Sequence, residues 1–157
     1  MTQEKIQEFT RRLSQCNKSE LTLINYEIVF TYMDDAKESH VKGDYEEFKK
    51  NIEWAQKAIE ELRGALNFEY ELSNNLNEIY LFCNRCLSEC IYKNSTDSIV
   101  EAKSLMNRLY ESFKVAAQSD DSEKMMDNVQ SVYAGITYSK DNLNETYSND
   151  TNRGFLA

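Results

Sequence analysis

Residues 21–33, LTLINYEIVFTYM, decide how this chain folds. Leu21, Leu23, Ile24, Tyr26, Ile28, Val29, Phe30, Tyr32 and Met33 are apolar or aromatic. A helix turns by about 100° per residue, so these side chains cannot all share one face. Such a helix is either wrapped on every side by neighbours or keeps a second face for a partner. The supply of other helices determines which.

That supply is ample. Outward from the opening stretch, Asn17-Lys18-Ser19-Glu20 reads as a capping box, with the Asn17 side chain accepting from the amide of Glu20 and the Glu20 carboxylate reaching back. A helix is therefore predicted from Lys18 to about Lys42. Ahead of it, Ile6, Phe9, Leu13 and Cys16 recur at steps of three and four within residues 3–16, the mark of a short amphipathic helix with one narrow, loosely held stripe. Behind it, Gly43-Asp44 supplies a left-handed stop followed by a cap. Tyr45, Phe48, Ile52, Ala55, Ile59, Leu62 and Leu66 then form the regular stripe of a second long helix, with Trp54 beside it. After a turn near Asn67 and Phe68, Leu72, Leu76, Ile79, Cys83, Cys86 and Cys90 resume the spacing, widened by Tyr80, Leu87 and Ile91. A break at residues 94–97 precedes Ile99, Ala102, Met106, Leu109, Phe113 and Ala116.

Four long helices with short connections predict an all-α fold, an antiparallel up-down four-helix bundle with a short N-terminal helix and a C-terminal extension. The bundle is expected over residues 1–117. Residues 118–157 are expected to hold a short helix around Met125, Met126, Val129, Val132 and Tyr133, then a polar, aperiodic, flexible tail. The tail from Val132, with its aromatics and its apolar end Phe155-Leu156-Ala157, is a candidate pseudo-ligand for any groove left open by the bundle.

Composition agrees with helices and excludes several functions. The chain has 157 residues, no proline and only four glycines, too few for a turn-rich β fold. Its net charge of -9 repels a phosphate backbone, so nucleic acid is not an expected partner. No run approaches the roughly 20 apolar residues of a membrane span, and no secretory pattern opens the chain. A cytoplasmic protein without membrane insertion is expected, with its four cysteines as free thiols. Cys83, Cys86 and Cys90 line one side of a helix, where core filling is favoured over metal binding because they continue the apolar stripe and a fourth ligand is missing. His40 is the only histidine, which removes a His-rich di-iron site and most nucleophile pairs; it is expected to be a solvated residue near a helix end. No cofactor, metal or catalytic constellation is expected. Apolar surface beyond the needs of the core remains: the second face of the opening helix, Trp54, Phe82 and many of the ten tyrosines. It suits a groove for an extended or helical peptide.

The run from Tyr26 to Leu87, YEIVFTYMDDAKESHVKGDYEEFKKNIEWAQKAIEELRGALNFEYELSNNLNEIYLFCNRCL, resembles the flagellin export chaperone family FliS. That family marks three successive helices with Leu-Tyr-Asp-Gly, Lys-Ala with a following Leu, and Leu-Asp with later Asn-Leu and Leu-Tyr segments. The corresponding residues here are Asn25-Tyr26-Glu27-Ile28, then Trp54-Ala55-Gln56 with Leu62, then Leu66-Asn67 with Asn75-Leu76 and Ile79-Tyr80. The resemblance spans residues 1 to about 117. Asn17-Lys18 replaces the family's Ser-Pro, Ile28 its glycine, Trp54 its lysine and Cys90-Ile91 its Ala-Asn.

The resemblance implies a non-enzymatic cytoplasmic chaperone that binds the disordered C-terminal segment of flagellin. It would prevent premature polymerisation and deliver the subunit to the flagellar type III export apparatus. An export-gate component is a further implied partner, and the chain would be a monomer or homodimer. Tyr26, Glu27, Leu76 and Tyr80 are the implied partner-binding positions, and residues 1–16 an implied lid. The alternative reading is a helical adaptor for a different protein.

Overall fold

In the computed structural model, which describes residues 1–125, every regular element is a helix. They are α1 (Gln3–Leu13), α2 (Lys18–Val41), α3 (Tyr45–Gly64), α4 (Glu71–Lys93) and α5 (Asp97–Ala117). The helix expected around Met125–Tyr133 lies, beyond its first residue, outside the described residues, as does the tail with its apolar end.

The boundaries follow local chemistry. Asn17 and Glu20 form both halves of the expected capping box, at 2.8 and 3.0 Å. Gly43 takes φ 74°, the left-handed region where a side chain is strained, and the Asp44 carboxylate then accepts from the Glu47 amide at 3.0 Å. Asn67 starts the next turn, its side chain accepting from the Glu69 amide and its carbonyl from the Ser73 hydroxyl. Asn94, at φ 49°, ends α4 in the left-handed conformation that asparagine tolerates better than most residues.

Helices α2, α3, α4 and α5 pack in a ring, each against its sequence neighbours, with α5 returning to α2. The enclosed core takes Tyr26, Val29 and Met33 from α2; Phe48, Ile52, Ala55 and Ile59 from α3; Tyr80, Cys83, Leu87 and Cys90 from α4; and Ile99, Ala102 and Met106 from α5. One polar pair lies inside, with Asn51 donating to Ser39 at 3.1 Å. The α3–α4 seam is rimmed by hydrogen bonds, Gln56 to Ser88 at 2.8 Å and Arg63 to Asn77 at 3.1 Å.

Several expectations about single residues need correction; Tyr45 and Ala116, at the ends of their stripes, are exposed. Leu72 does not join the core; it is 64% exposed, and Ser73 turns inward instead. Leu72 stands in the first turn of α4, where Ser73 is tied to the Asn67 carbonyl, and that tie sets which side of the turn faces in. His40 is not simply solvated. Its Nε2 lies 2.9 Å from the Asn94 carbonyl and its ring packs edge-on against Phe48, so it ties the end of α2 to the end of α4.

The opening stretch is neither sealed nor bare. Ile24, Tyr26, Val29 and Met33 are buried, whereas Leu21, Leu23, Ile28, Phe30 and Tyr32 are half-buried. α1 lies antiparallel along this helix, with Met1 beside Asp35 and Arg12 beside Glu27. It has no buried residue of its own.

Candidate partner-binding surface

The half-buried residues of α2 gather in two places. The first is an aromatic cluster where the N-terminal half of α2 meets the C-terminal half of α5. Tyr26 stands at its centre, with ring centroids 5.7 Å from Phe113, 6.2 Å from Tyr110, and 6.3 Å from both Phe30 and Tyr80. Phe30 meets Tyr110 edge-on at 5.7 Å. Tilted and edge-on contacts of this kind satisfy the ring quadrupoles. The layering is clear: Tyr26 and Tyr80 are sealed, at 0% and 1% exposure, while Phe30, Tyr110 and Phe113 are half-covered above them.

The sealed pair is polar at one point. The Tyr26 and Tyr80 hydroxyls lie 2.6 Å apart. Burial pushes both phenols above their ordinary range, and for Tyr26 the neighbouring Tyr80 adds to the effect. Both therefore stay protonated. Next to them Cys83 is buried, and desolvation raises its thiol to about 12. Cys86 and Cys90 are also buried and also raised by desolvation, so all three are unreactive core thiols in the folded chain.

Glu27 forms the charged edge of the cluster. Arg12 of α1 grips its carboxylate by donating from both terminal guanidinium nitrogens, Nη2 at 3.0 Å, and the Tyr110 hydroxyl donates to it at 3.1 Å. The carboxylate holds the Arg12 proton more tightly than usual, chiefly through that hydrogen bond. Tyr110 is raised as well, first by burial and then by the nearby negative charge. One residue of α2 thus joins α1 and α5.

The second place is an open groove of about 410 Å³ between α2 and α3, floored by Ile28, Tyr32 and Ala58. Trp54 stacks on Tyr32 with rings 15° from parallel, and the Lys57 ammonium sits 4.3 Å over the indole. Trp54 remains 42% exposed. Here the residues that depart from the family pattern, Ile28 and Trp54, make the surface themselves.

Of the positions singled out from sequence, Tyr26, Glu27 and Tyr80 come together in the aromatic cluster. Leu76 lies one helical turn before Tyr80 on α4 and is buried at 7% exposure. Three of the four are therefore below the surface, and Glu27 alone reaches it. Sequence reading missed Phe30, Tyr110 and Arg12 as members. Phe30 was findable as the residue one turn after Tyr26. Arg12 carried no signal, because its partner lies across a helix-helix elbow.

Among the described residues no cluster of histidine, cysteine and carboxylate side chains has metal-site geometry, and no helix is long and apolar enough to cross a membrane. What the surface offers is aromatic and aliphatic area edged by carboxylates, Glu27 at the cluster and Glu60 and Glu61 at the groove. Residues 1–120 match the family model described as Flagellar protein FliS. No curated protein matches the chain significantly.

Proposed function

The chain belongs to the FliS family of flagellar proteins, the flagellin export chaperones its sequence resembles, and from that premise we propose that it binds the disordered C-terminal segment of flagellin in the cytoplasm. The bound segment gains order as its apolar helix-forming residues are covered. Covered residues cannot pair with another subunit, which prevents early polymerisation and leaves the subunit deliverable to the export apparatus, where a gate component would be the second partner.

One observation carries this reading: Glu27, at the edge of the α2–α5 aromatic cluster, is held by Arg12 from a helix that packs on α2 alone and buries none of its own residues. In a chain with a complete core elsewhere, a helix so lightly held suits displacement. We assign α1 the role of a lid, with Arg12 occupying Glu27 until the partner arrives. Phe30, Tyr110 and Phe113 are then the first side chains uncovered. Tyr26, Tyr80 and Leu76 support them from below, and Glu27 becomes free for a basic or amide group of the ligand. The α2–α3 groove at Trp54 extends the contact for a ligand that wraps around the bundle.

Calorimetric titration of the full chain with a synthetic flagellin C-terminal segment tests the proposal. Saturable binding with a negative heat-capacity change, accompanied by a change in Trp54 fluorescence, is expected. Absence of both signals at roughly 100 μM peptide, a concentration that would reveal even weak complexes, overturns it. Recovery of a different protein in a pull-down from native cytosol, with no flagellin, would favour the adaptor reading.

A further inference from the structure

Beyond Ala117 the chain does not simply leave the bundle. Residues 118–125 turn back across the elbow that joins α1 to α2. The Met125 amide donates to the Cys16 carbonyl at 3.0 Å, and the Ser19 hydroxyl donates to the Asp120 carboxylate. These two bonds join parts of the chain a hundred residues apart. The Asp120 carboxylate is itself fixed by the Ser122 amide at 3.0 Å, so the acceptor is held ready rather than recruited.

The elbow needs such a hold. Between it and α2 lies a hollow of about 430 Å³, bordered by Arg12, Cys16, Glu20, Ile24, Glu27 and Lys124. Side chains do not close this space, so the C-terminal end of α1 is kept down by polar contacts spanning a gap. Arg12 to Glu27 is one of them, and the bonds from residues 118–125 are the others. Cys16, at 4% exposure, is nonetheless buried at the elbow, where the returning segment meets its carbonyl.

We propose that residues 118–125 are a strap that holds the α1–α2 elbow closed, so that α1 lifts only when the strap lets go. α1 would have to pivot about Ser14–Asn17, where the strap is bonded to the Cys16 carbonyl, while the Ser19 bond in the first turn of α2 anchors the strap itself. The regulatory meaning of the strap rests on the reading of α1 as a lid; its mechanical role does not. Ligand binding and strap release are then coupled, because pulling α1 away loads the Cys16–Met125 bond, and the Ser19–Asp120 bond keeps the strap in place to resist it.

Hydrogen-deuterium exchange of the full chain, followed by mass spectrometry on α1 peptides, tests the strap separately from ligand binding. Asp120→Ala removes the acceptor for Ser19, and Met125→Pro removes the donor to Cys16. Each is expected to speed exchange of the α1 amides roughly fivefold, the opening expected from loss of one ordinary hydrogen bond, with α3 peptides unchanged as the internal check that the bundle is intact. Asp120→Asn keeps an acceptor oxygen and should stay near the wild-type rate. Ser19→Ala should match Asp120→Ala, with no further gain in the double variant. Unchanged α1 exchange in both Asp120→Ala and Met125→Pro overturns the strap. The peptide titration then addresses the other reading: faster α1 exchange without tighter peptide binding leaves the strap standing and removes the lid.

Discussion

The two halves of α5 carry the same apolar spacing and end up in different conditions. In the first half Ile99, Ala102 and Met106 are fully buried. After Met106 no residue of the helix is buried: Leu109, Tyr110 and Phe113 are half-covered, and Val115 and Ala116 are exposed. The difference comes from what lies opposite. The first half faces the complete ring of the bundle, with Lys103 reaching Asp34 on α2. The second half faces the start of α2, where Tyr26 and Phe30 meet Tyr110 and Phe113 and no further long helix closes over them. Periodicity selects the inward side of a helix; the neighbours decide whether that side is finished.

The widest expected contrast uses two cysteines that sample the two conditions. Cys83 is sealed in the core beside Tyr80, with its thiol raised to about 12, while Cys16 sits at the elbow under the strap. Labelling of the native chain with a thiol reagent should modify Cys16 at least about a hundredfold faster, since only the elbow opens without unfolding the bundle. Equal rates would mean that the elbow and the core open as one unit and would dissolve the contrast.

Stability gives the next largest difference. Met106→Ala empties a buried site and should cost about 3 kcal/mol, read from the urea midpoint at unchanged slope. Phe113→Ala removes a half-covered ring and should cost about 1 kcal/mol, because less contact is lost and water already reaches the site. A larger penalty at Phe113 than at Met106 would invert the assignment of the two halves. The same Phe113→Ala chain should bind the flagellin segment about tenfold more weakly, as expected for an aromatic anchor at an interface. Unaltered affinity would move the contact surface elsewhere.

Arg12→Ala gives the smallest expected effect. Its bidentate pair with Glu27 is partly exposed and contributes about 1 kcal/mol at most, so peptide affinity should rise up to about fivefold as α1 lifts more readily. Raising the salt concentration should have the same direction in the wild-type chain and little effect in the variant. A fall in affinity would show that Arg12 serves the ligand and not the closed lid.

The helices were legible because their determinants are local. The Asn17–Glu20 box, Gly43-Asp44 and the stripe from Phe48 to Leu62 each declare themselves within a few residues, and the structure realises them. Leu72 was misread because a stripe extrapolated to a helix end ignores the turn that sets its phase. Tyr26, Glu27, Leu76 and Tyr80 come from the family pattern rather than from spacing, and three of the four are buried beneath the candidate surface. Arg12, Tyr110 and the Ser19–Asp120 bond escaped because each depends on how distant segments meet, which spacing does not encode.

The connections of the bundle bear on how it is assembled in time. α2 to α3, α3 to α4 and α4 to α5 are each joined by a few residues, so these helical hairpins close over short loops. α5 returning to α2, and the strap returning to the elbow, must bring remote stretches together, and chains dominated by near contacts fold fast while distant ones delay them. The aromatic junction at Tyr26, Tyr110 and Phe113 is therefore expected to be the last part of the molecule to consolidate after synthesis, which ties readiness to receive a client to completion of the host.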